Sequence, residues 1–476
     1  MADLISSAVG GRIVDFNDEF FAPASNLISP NEPVTNAEYT DRGKWMDGWE
    51  TRRRREPGHD WCVVALGVPG RIEHVTVDTS FFTGNYPESF SLEGCGDDDD
   101  THLGAADWEV VLPQTRLSGD AQAAFEVNNP HRFGYVRLNI YPDGGVARLR
   151  VEGTPIPSRS QVCPDPDPVD LLSMLVGGDA VRASDVHYSP PSNLLRPTEP
   201  AGMWDGWETK RRRGPGNDWV ELKLGMPGAI DTVVIDTRHF KGNAPGWVSI
   251  LVSADRARWE MVLDRVAVAP DEVAHLELSD PTHATHLRVE IHPDGGLARV
   301  KALGHPDRES VIQKRITYLS SLTDSAARRF FKTACASAAW VESMVVGRPY
   351  HGIEEVLNAA ETAFDLLDEA DWMEAFSGHP RIGEKGDQTA DREQSGVQGA
   401  TTPTMAAIAE ANRQYEDRFG FTYIVYASGK TAEEMLAIAE SRLGSTREQE
   451  IEAASGEQRA IAATRLQRML CQGDQN

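Results

Sequence analysis

The chain has 476 residues, 40% of them hydrophobic and 25% charged, an ordinary composition for folded protein and enough length for about three domains. Its formal charge of −26 argues against non-specific binding to nucleic acid or anionic membrane, so an anionic substrate must be drawn in by a local basic cluster. Five scattered cysteines (Cys62, Cys95, Cys163, Cys335, Cys471) form no CxxC pair and fit reduced thiols in a cytoplasmic setting. The N-terminus has no secretion-signal pattern, and no stretch approaches the roughly 18 apolar residues of a membrane span.

Residues 1–305 are an internal repeat. Leu4-Ile5-Ser6 and Val9-Gly10-Gly11 recur as Leu172-Ser173 and Val176-Gly177-Gly178, and Ser25-Asn26-Leu27 recurs as Ser192-Asn193-Leu194. Asp47-Gly48-Trp49-Glu50-Thr51 recurs as Asp205-Gly206-Trp207-Glu208-Thr209, and Pro142-Asp143-Gly144-Gly145 as Pro293-Asp294-Gly295-Gly296. Each copy is domain-sized rather than a solenoid unit. Short runs rich in Val, Ile, Trp and Thr are bounded by turn residues: Trp61–Leu66, His74–Asp78, Tyr135–Ile140, Trp219–Leu224, Thr232–Asp236, Val248–Val252 and Thr285–Ile291. That is the pattern of an all-β sandwich. The first copy is expected over 1–153 and the second over 171–306. The proline-rich segment 154–170 is read as a linker between them, and the acidic run Asp97 to Asp100 as a loop insertion.

After about Asp307 the period changes to helical, and a third, mostly α-helical domain is expected over 312–472. Asp324-Ser325 can cap a helix running toward Ser337, and Ile353–Leu367 has apolar residues at helical spacing. Thr402-Pro403 opens a helix through Arg418, and Thr431 with Glu434 makes a capping-box pattern. Glu448–Leu470 reads as one long helix or two. Phe421–Tyr426 fits either a buried extended stretch or part of a helix.

Two copies of one polar block dominate the repeats. Asp47-Gly-Trp-Glu50-Thr-Arg52-Arg53-Arg54-Arg55 precedes Gly58-His59-Asp60-Trp61, and Asp205-Gly-Trp-Glu208-Thr-Lys210-Arg211-Arg212-Arg213 precedes Gly216-Asn217-Asp218-Trp219. Guanidinium groups fork a carboxylate and acidic groups accept from ureido N–H, so the block suits a small carboxylate with amide-like groups. Gly84-Asn85 and Gly242-Asn243 add a second repeated loop. The residues alone leave a plainer reading open, with the tryptophans in the core and the basic run on a solvated or salt-bridged face.

Taken with the Ser-Asn-Leu and Pro-Asp-Gly-Gly blocks, these motifs resemble the allantoicase family across about residues 1–305. The resemblance implies two jelly-roll sandwiches and hydrolysis of allantoate to ureidoglycolate and urea. From residue type, Asp47, Glu50, Asp205 and Glu208 are the candidate acid/base groups. Arg53 and Arg211 are candidates to hold the substrate carboxylate, with Asn85 and Asn243 as further substrate contacts. His59, Asp60, His239, His292 and Asp294 are candidate ligands for a divalent metal, but none has a strong ligand spacing, so no metal or other cofactor is assigned.

In the last third, Gly378-His379-Pro380-Arg381-Ile382-Gly383 sits in a loop, followed by Glu393-Gln394-Ser395-Gly396 in another turn. Proline after His379 restricts the backbone and helps aim an imidazole, although a histidine here could equally cap a helix. From about 312 to 470 the chain resembles the 2-oxo-4-hydroxy-4-carboxy-5-ureidoimidazoline (OHCU) decarboxylase family. The resemblance is carried by those two motifs, by Asn412 with Tyr415-Glu416-Asp417-Arg418-Phe419-Gly420-Phe421, and by Arg465-Leu466. It implies an all-helical, cofactor-free enzyme that forms (S)-allantoin and carbon dioxide, with His379 as acid/base group and Glu393 orienting the substrate. Pro380, Gln394, Thr422 and Ile424 would line the pocket and Arg465 would face a substrate charge. Ala390 stands where many relatives have serine, so one substrate hydrogen bond is lost or supplied by Thr389.

The partners expected are small-molecule ureides, with no nucleic acid and no membrane, and homo-oligomerisation is left open. The two activities are not adjacent in their route, since opening of the allantoin ring lies between them, so no channelling is expected. The alternative is a tandem jelly-roll carbohydrate-binding module attached to a single active decarboxylase domain.

Overall fold

A computed structural model describes residues 2–96, 103, 107–162, 167–382 and 402–471, in two compact units divided after Thr323. The class is the one expected, β-sandwich repeats followed by helices. In the first repeat the main strands are β1 (Arg12–Phe16), β2 (Asp60–Asp78), β3 (Ser89–Cys95), β4 (Glu109–Arg116), β5 (Gln122–Glu126), β6 (Arg132–Tyr141) and β7 (Arg148–Pro155). In the second they are β8 (Asp179–Ala183), β9 (Asp218–Asp236), β10 (Trp247–Ser253), β11 (Glu260–Ala267), β12 (Val273–His292) and β13 (Arg299–Pro306).

Each repeat hangs on one long strand, β2 or β9, that fuses two of the short runs read from the sequence. The first half of β2, Asp60–Ala65, pairs with Tyr135–Ile140 of β6, while Gly70–Asp78 pairs with β7. A strand that changes partners midway joins the two layers of a sandwich. The change falls at Gly67-Val-Pro-Gly70, and in β9, which keeps β12 on one edge throughout and exchanges β8 for β13 on the other, at Gly225-Met-Pro-Gly228, where proline cannot donate to a ladder. Glycine is required by close approach. A Cβ on Gly67 would lie 2.4 Å from the Val9 carbonyl oxygen, and one on Gly225 2.5 Å from that of Val176. The alternating apolar residues of the strands close one continuous core through both repeats. Trp49 and Trp207 are fully buried in it, and their indole N–H groups donate to the carbonyls of Asp18 and Asp185 at 2.8 and 2.9 Å.

The segment 154–170 departs from the expected linker. β7 runs to Pro155, Ser160–Val162 makes a single 3-10 turn, and Val169–Asp170 pairs with Leu303–Gly304. The helical unit also begins later than the expected 312, and a helix that the sequence did not signal precedes it. Helix α1 (Arg308–Ser321) lies in the first unit, with Val311 in the β core. Arg315 Nη2 donates to the Val162 carbonyl at 3.1 Å, and the Arg132 guanidinium lies 5.2 Å from the Tyr318 ring centroid.

The second unit holds α2 (Asp324–Lys332), α3 (Ala338–Val346), α4 (Ile353–Asp365), α5 (Glu369–Ser377), α6 (Thr402–Phe419), α7 (Ala432–Arg442) and α8 (Arg447–Cys471). The helix expected to run toward Ser337 stops at Lys332, and Ser337 instead caps α3 by accepting from the Trp340 amide. The capping box at Thr431 and Glu434 is present, and α8 is one unbroken helix. Rings stack in sequence from Trp340 through Phe364, Trp372 and Phe376 to Phe421, at centroid spacings of 5.3, 5.3, 5.9 and 5.1 Å. The row ends at Phe421–Tyr426, which is largely buried and belongs to neither helix nor strand. Its backbone polar groups are met by side chains. Tyr426 N–H donates to Glu457 Oε2 at 2.7 Å, and the Ile424 carbonyl accepts from Arg442 Nη1 at 2.8 Å. Among the described residues no helix is long and apolar enough to cross a membrane.

Candidate active sites

In each β repeat the Trp-Glu pair forms a two-residue strand against the Gly-Gly loop, Trp49–Glu50 with Gly145–Val146 and Trp207–Glu208 with Gly296–Leu297. This arrangement brings the second polar loop onto the carboxylate. Asn85 Nδ2 donates to Glu50 Oε1 at 2.7 Å, and Asn243 Nδ2 to Glu208 Oε1 at 2.6 Å. Glu50 is half-buried. Burial pushes its carboxyl above the usual range, and the hydrogen bond from Asn85 pulls the other way without cancelling it.

The basic run belongs to neither helix nor strand, and its alternate residues have different fates. Arg52 donates to Asp18 through its amide and Nε, at 3.0 and 2.6 Å, and Lys210 occupies the same relation to Asp185. Arg54 donates from its amide to Asp143 at 2.9 Å and from Nη1 to Asp60 at 2.5 Å, and Arg212 binds Asp294 and Asp218 in the same way. Arg53, Arg55, Arg211 and Arg213 are exposed and, among the described residues, have no hydrogen bond or ion pair. Half of the run therefore stitches the loop to the sandwich, and half is available to a ligand.

Asp47 and Asp205 are placed away from that role. Asp47 Oδ2 accepts from Arg148 Nη2 at 2.8 Å, and Asp205 Oδ2 accepts from Arg299 Nη2 at 2.8 Å, with Arg196 on its other oxygen. Arg148 and Arg299 are 2% exposed. Burial raises the Asp205 carboxyl, but Arg299, the Ala201 amide and Arg196 outweigh it and hold the group below the usual range. A carboxylate so engaged is poorly placed to exchange protons with a substrate.

The candidate metal ligands do not converge. Asp60 and Asp294 are taken up by Arg54 and by the Arg212 amide, His292 Nε2 lies 2.9 Å from Ser249 Oγ, and His239 Nε2 lies 2.9 Å from the Pro200 carbonyl. His59 packs its ring 4.8 Å from that of Tyr141. Among the described residues no three His, Cys, Asp or Glu side chains are grouped to hold an ion.

In the helical unit, His379 follows the C-terminus of α5, and its amide donates to the Phe376 carbonyl at 3.2 Å. Its loop is anchored by α6, where Asn412 Nδ2 donates to the Ile382 carbonyl at 3.0 Å and Glu416 forks Arg381 at 2.8 and 2.7 Å. His379, Pro380, Ile382, Ile424, Tyr426, Ile461 and Arg465 line one pocket, and Thr422 lines an adjoining one that shares His379 and Pro380. Five expected site residues, His379, Pro380, Thr422, Ile424 and Arg465, are thus brought together. Glu393, Gln394, Thr389 and Ala390 lie outside the described residues, as does the acidic run Asp97 to Asp100. One neighbour was not foreseen: Gln458 on α8, fully buried, has Oε1 2.6 Å from His379 Nε2. The only trace of it in the sequence is a glutamine at helical spacing from Ile461 and Arg465.

The allantoicase repeat family model matches residues 2–156 and 169–307, and the OHCU decarboxylase family model matches residues 320–467. The chain is 42% identical over 316 residues to the "Probable allantoicase" of Acinetobacter baumannii (strain SDF), covering 63% of this chain and 93% of that one. Among solved structures it is similar to allantoicase from Saccharomyces cerevisiae, with a TM-score of 0.55 and 32% identity over 64% of this chain and 93% of that chain. It also matches an OHCU decarboxylase solved in the presence of (S)-allantoin, with a TM-score of 0.28 and 30% identity over 31% of this chain and 98% of that chain.

Proposed function

We propose that this chain, which belongs to the allantoicase family over its first two thirds and carries an OHCU decarboxylase domain after them, works through Glu50 in the first β repeat and His379 in the helical unit. It is a bifunctional enzyme of purine catabolism. The β part hydrolyses allantoate to (S)-ureidoglycolate and urea, and the helical part decarboxylates OHCU to (S)-allantoin. Its substrates are small ureides. We read it as a cytoplasmic enzyme that needs neither nucleic acid nor a cofactor.

The observation that carries the first assignment is the half-buried Glu50 carboxyl, bound by Asn85 and lifted above the usual range, a few residues from the unpaired cations Arg53 and Arg55. Allantoate carries a carboxylate and two ureido groups on one carbon. An exposed arginine can take the carboxylate, and a protonated Glu50 can supply the proton that the leaving ureido nitrogen needs as water adds to that carbon. The first repeat is favoured as host because His59 stands beside Tyr141 there, where the second repeat has Asn217.

Initial rates of urea release test this. Glu50→Gln should lower the rate on the order of 100-fold, the usual worth of a positioned acid, while Glu208→Gln changes it little. Equal losses in the two variants would reject the assignment to one repeat. A general acid acts while protonated, so activity should persist to a higher pH than an ordinary glutamate allows and then fall as pH rises through the lifted pKa. Glu50→Gln should erase that limb. In a separate assay, Arg53→Ala should raise KM for allantoate about tenfold with kcat nearly kept, the mark of lost substrate binding. Urea release is expected to survive EDTA.

The helical assignment rests on His379, Pro380, Ile424 and Arg465 sharing one pocket. When the C–C bond to the carboxylate breaks, its electron pair passes into the imine of the substrate's own ring, and a proton must then be delivered to one face. An imidazole held in a pocket can place that proton, and Arg465 can hold a negative group of the substrate.

A further inference from the structure

We propose that Gln458 is a positioning residue for OHCU decarboxylation, its side-chain carbonyl accepting the Nε2–H of His379 and so holding the imidazole in one tautomer with its lone pair on Nδ1. The inference rests on the reading of His379 as the acid/base group. Gln458 Oε1 lies 2.6 Å from His379 Nε2, and Gln458 is fully buried on α8. It is one turn before Ile461 and two before Arg465, on the face of α8 that lines the pocket with His379.

Packing alone does not account for an amide here. Among the described residues Gln458 Nε2 is buried without an acceptor, and an orphan of that kind costs about 1–3 kcal/mol, which a leucine or methionine would avoid. The contact that offsets this cost is the one to the imidazole. Either orientation of the amide pins one ring nitrogen; the one observed sets the carbonyl on Nε2.

The neutrality of the partner also matters. A carboxylate at this position would stabilise the imidazolium and lift the pKa of His379, whereas an amide orients the ring without charging it. Among the described residues, the other charged or titratable groups lining the two pockets are Arg465 from α8, Arg381 and Glu416, which pair with each other, and Tyr423 and Tyr426.

The test uses the full chain and measures kcat and KM for OHCU across pH in wild type, Gln458→Leu, Gln458→Glu and His379→Ala, with far-UV circular dichroism as a check on folding. Gln458→Leu should lower kcat about tenfold or more with KM within about twofold, because ring orientation and not substrate binding is lost. Gln458→Glu should move the His379 limb of the pH profile upward by about one unit. Wild-type kcat and pH profile in both Gln458 variants, with His379→Ala inactive, would overturn this inference alone. Full turnover by His379→Ala would instead overturn the reading beneath it. If Gln458→Leu loses its native spectrum, Gln458→Glu decides: an unmoved limb overturns the proposal and a raised one supports it.

Discussion

His379→Ala is expected to lower OHCU decarboxylation by about 100- to 10,000-fold, the range that a positioned acid/base group supplies, and to leave urea release from allantoate unchanged. The separation follows from the architecture. His379 lies in the unit after Thr323, and the polar blocks around Glu50 and Glu208 lie in the unit before it. The loss should appear in kcat rather than KM, because Pro380, Ile424 and Arg465 still line the pocket. Carbon dioxide release and urea release from the same purified sample provide the check. A parallel loss of both would point to misfolding, and a loss of neither would remove His379 from the chemistry.

The second large effect concerns stability. Asp205→Ala removes the carboxylate between Arg299 and Arg196, and Arg299 is buried to 2% exposure. Leaving a buried guanidinium without its counter-charge costs about 3–5 kcal/mol, which for a unit of this size lowers the Tm by on the order of 10 °C. Asp47→Ala should act in the same direction and less strongly, because Asp47 is the more exposed of the two. The pH dependence has a definite sign. The native Asp205 carboxyl titrates below its unfolded value of 3.8, so its stabilisation is intact above that pH and is lost as pH falls further. Thermal unfolding followed by circular dichroism measures the shift. If Asp205→Ala kept the wild-type Tm and lost urea release, the group would be chemical after all.

The repeats, the change from strand to helix and the cluster around His379 were all legible in the sequence, because repetition, apolar period and ordered motifs are properties of the chain itself. The division of labour inside the basic run was not. Arg52 and Arg54 differ from Arg53 and Arg55 only by their alternate places in the run, and their partners Asp18, Asp60 and Asp143 come from three separate stretches. Asp47 and Asp205 were read as acids for the same reason. The arginines that claim them, Arg148 and Arg299, lie about a hundred residues further along and meet them only through the fold. Gln458 is a similar case, an amide on the inward face of α8 whose partner sits in a distant loop. Periodicity reports that a residue faces inward, not what it meets there.

Helix α1 bears on how the two enzymes can be separated. A fragment ending at the last strand, near Pro306, would strip Val311 from the β core and leave the Val162 carbonyl without Arg315 and Arg132 without Tyr318. The seam between the two catalytic bodies runs instead after Thr323. A half-enzyme cut there keeps its own plug, and the partner half begins cleanly at Asp324, the first residue of α2.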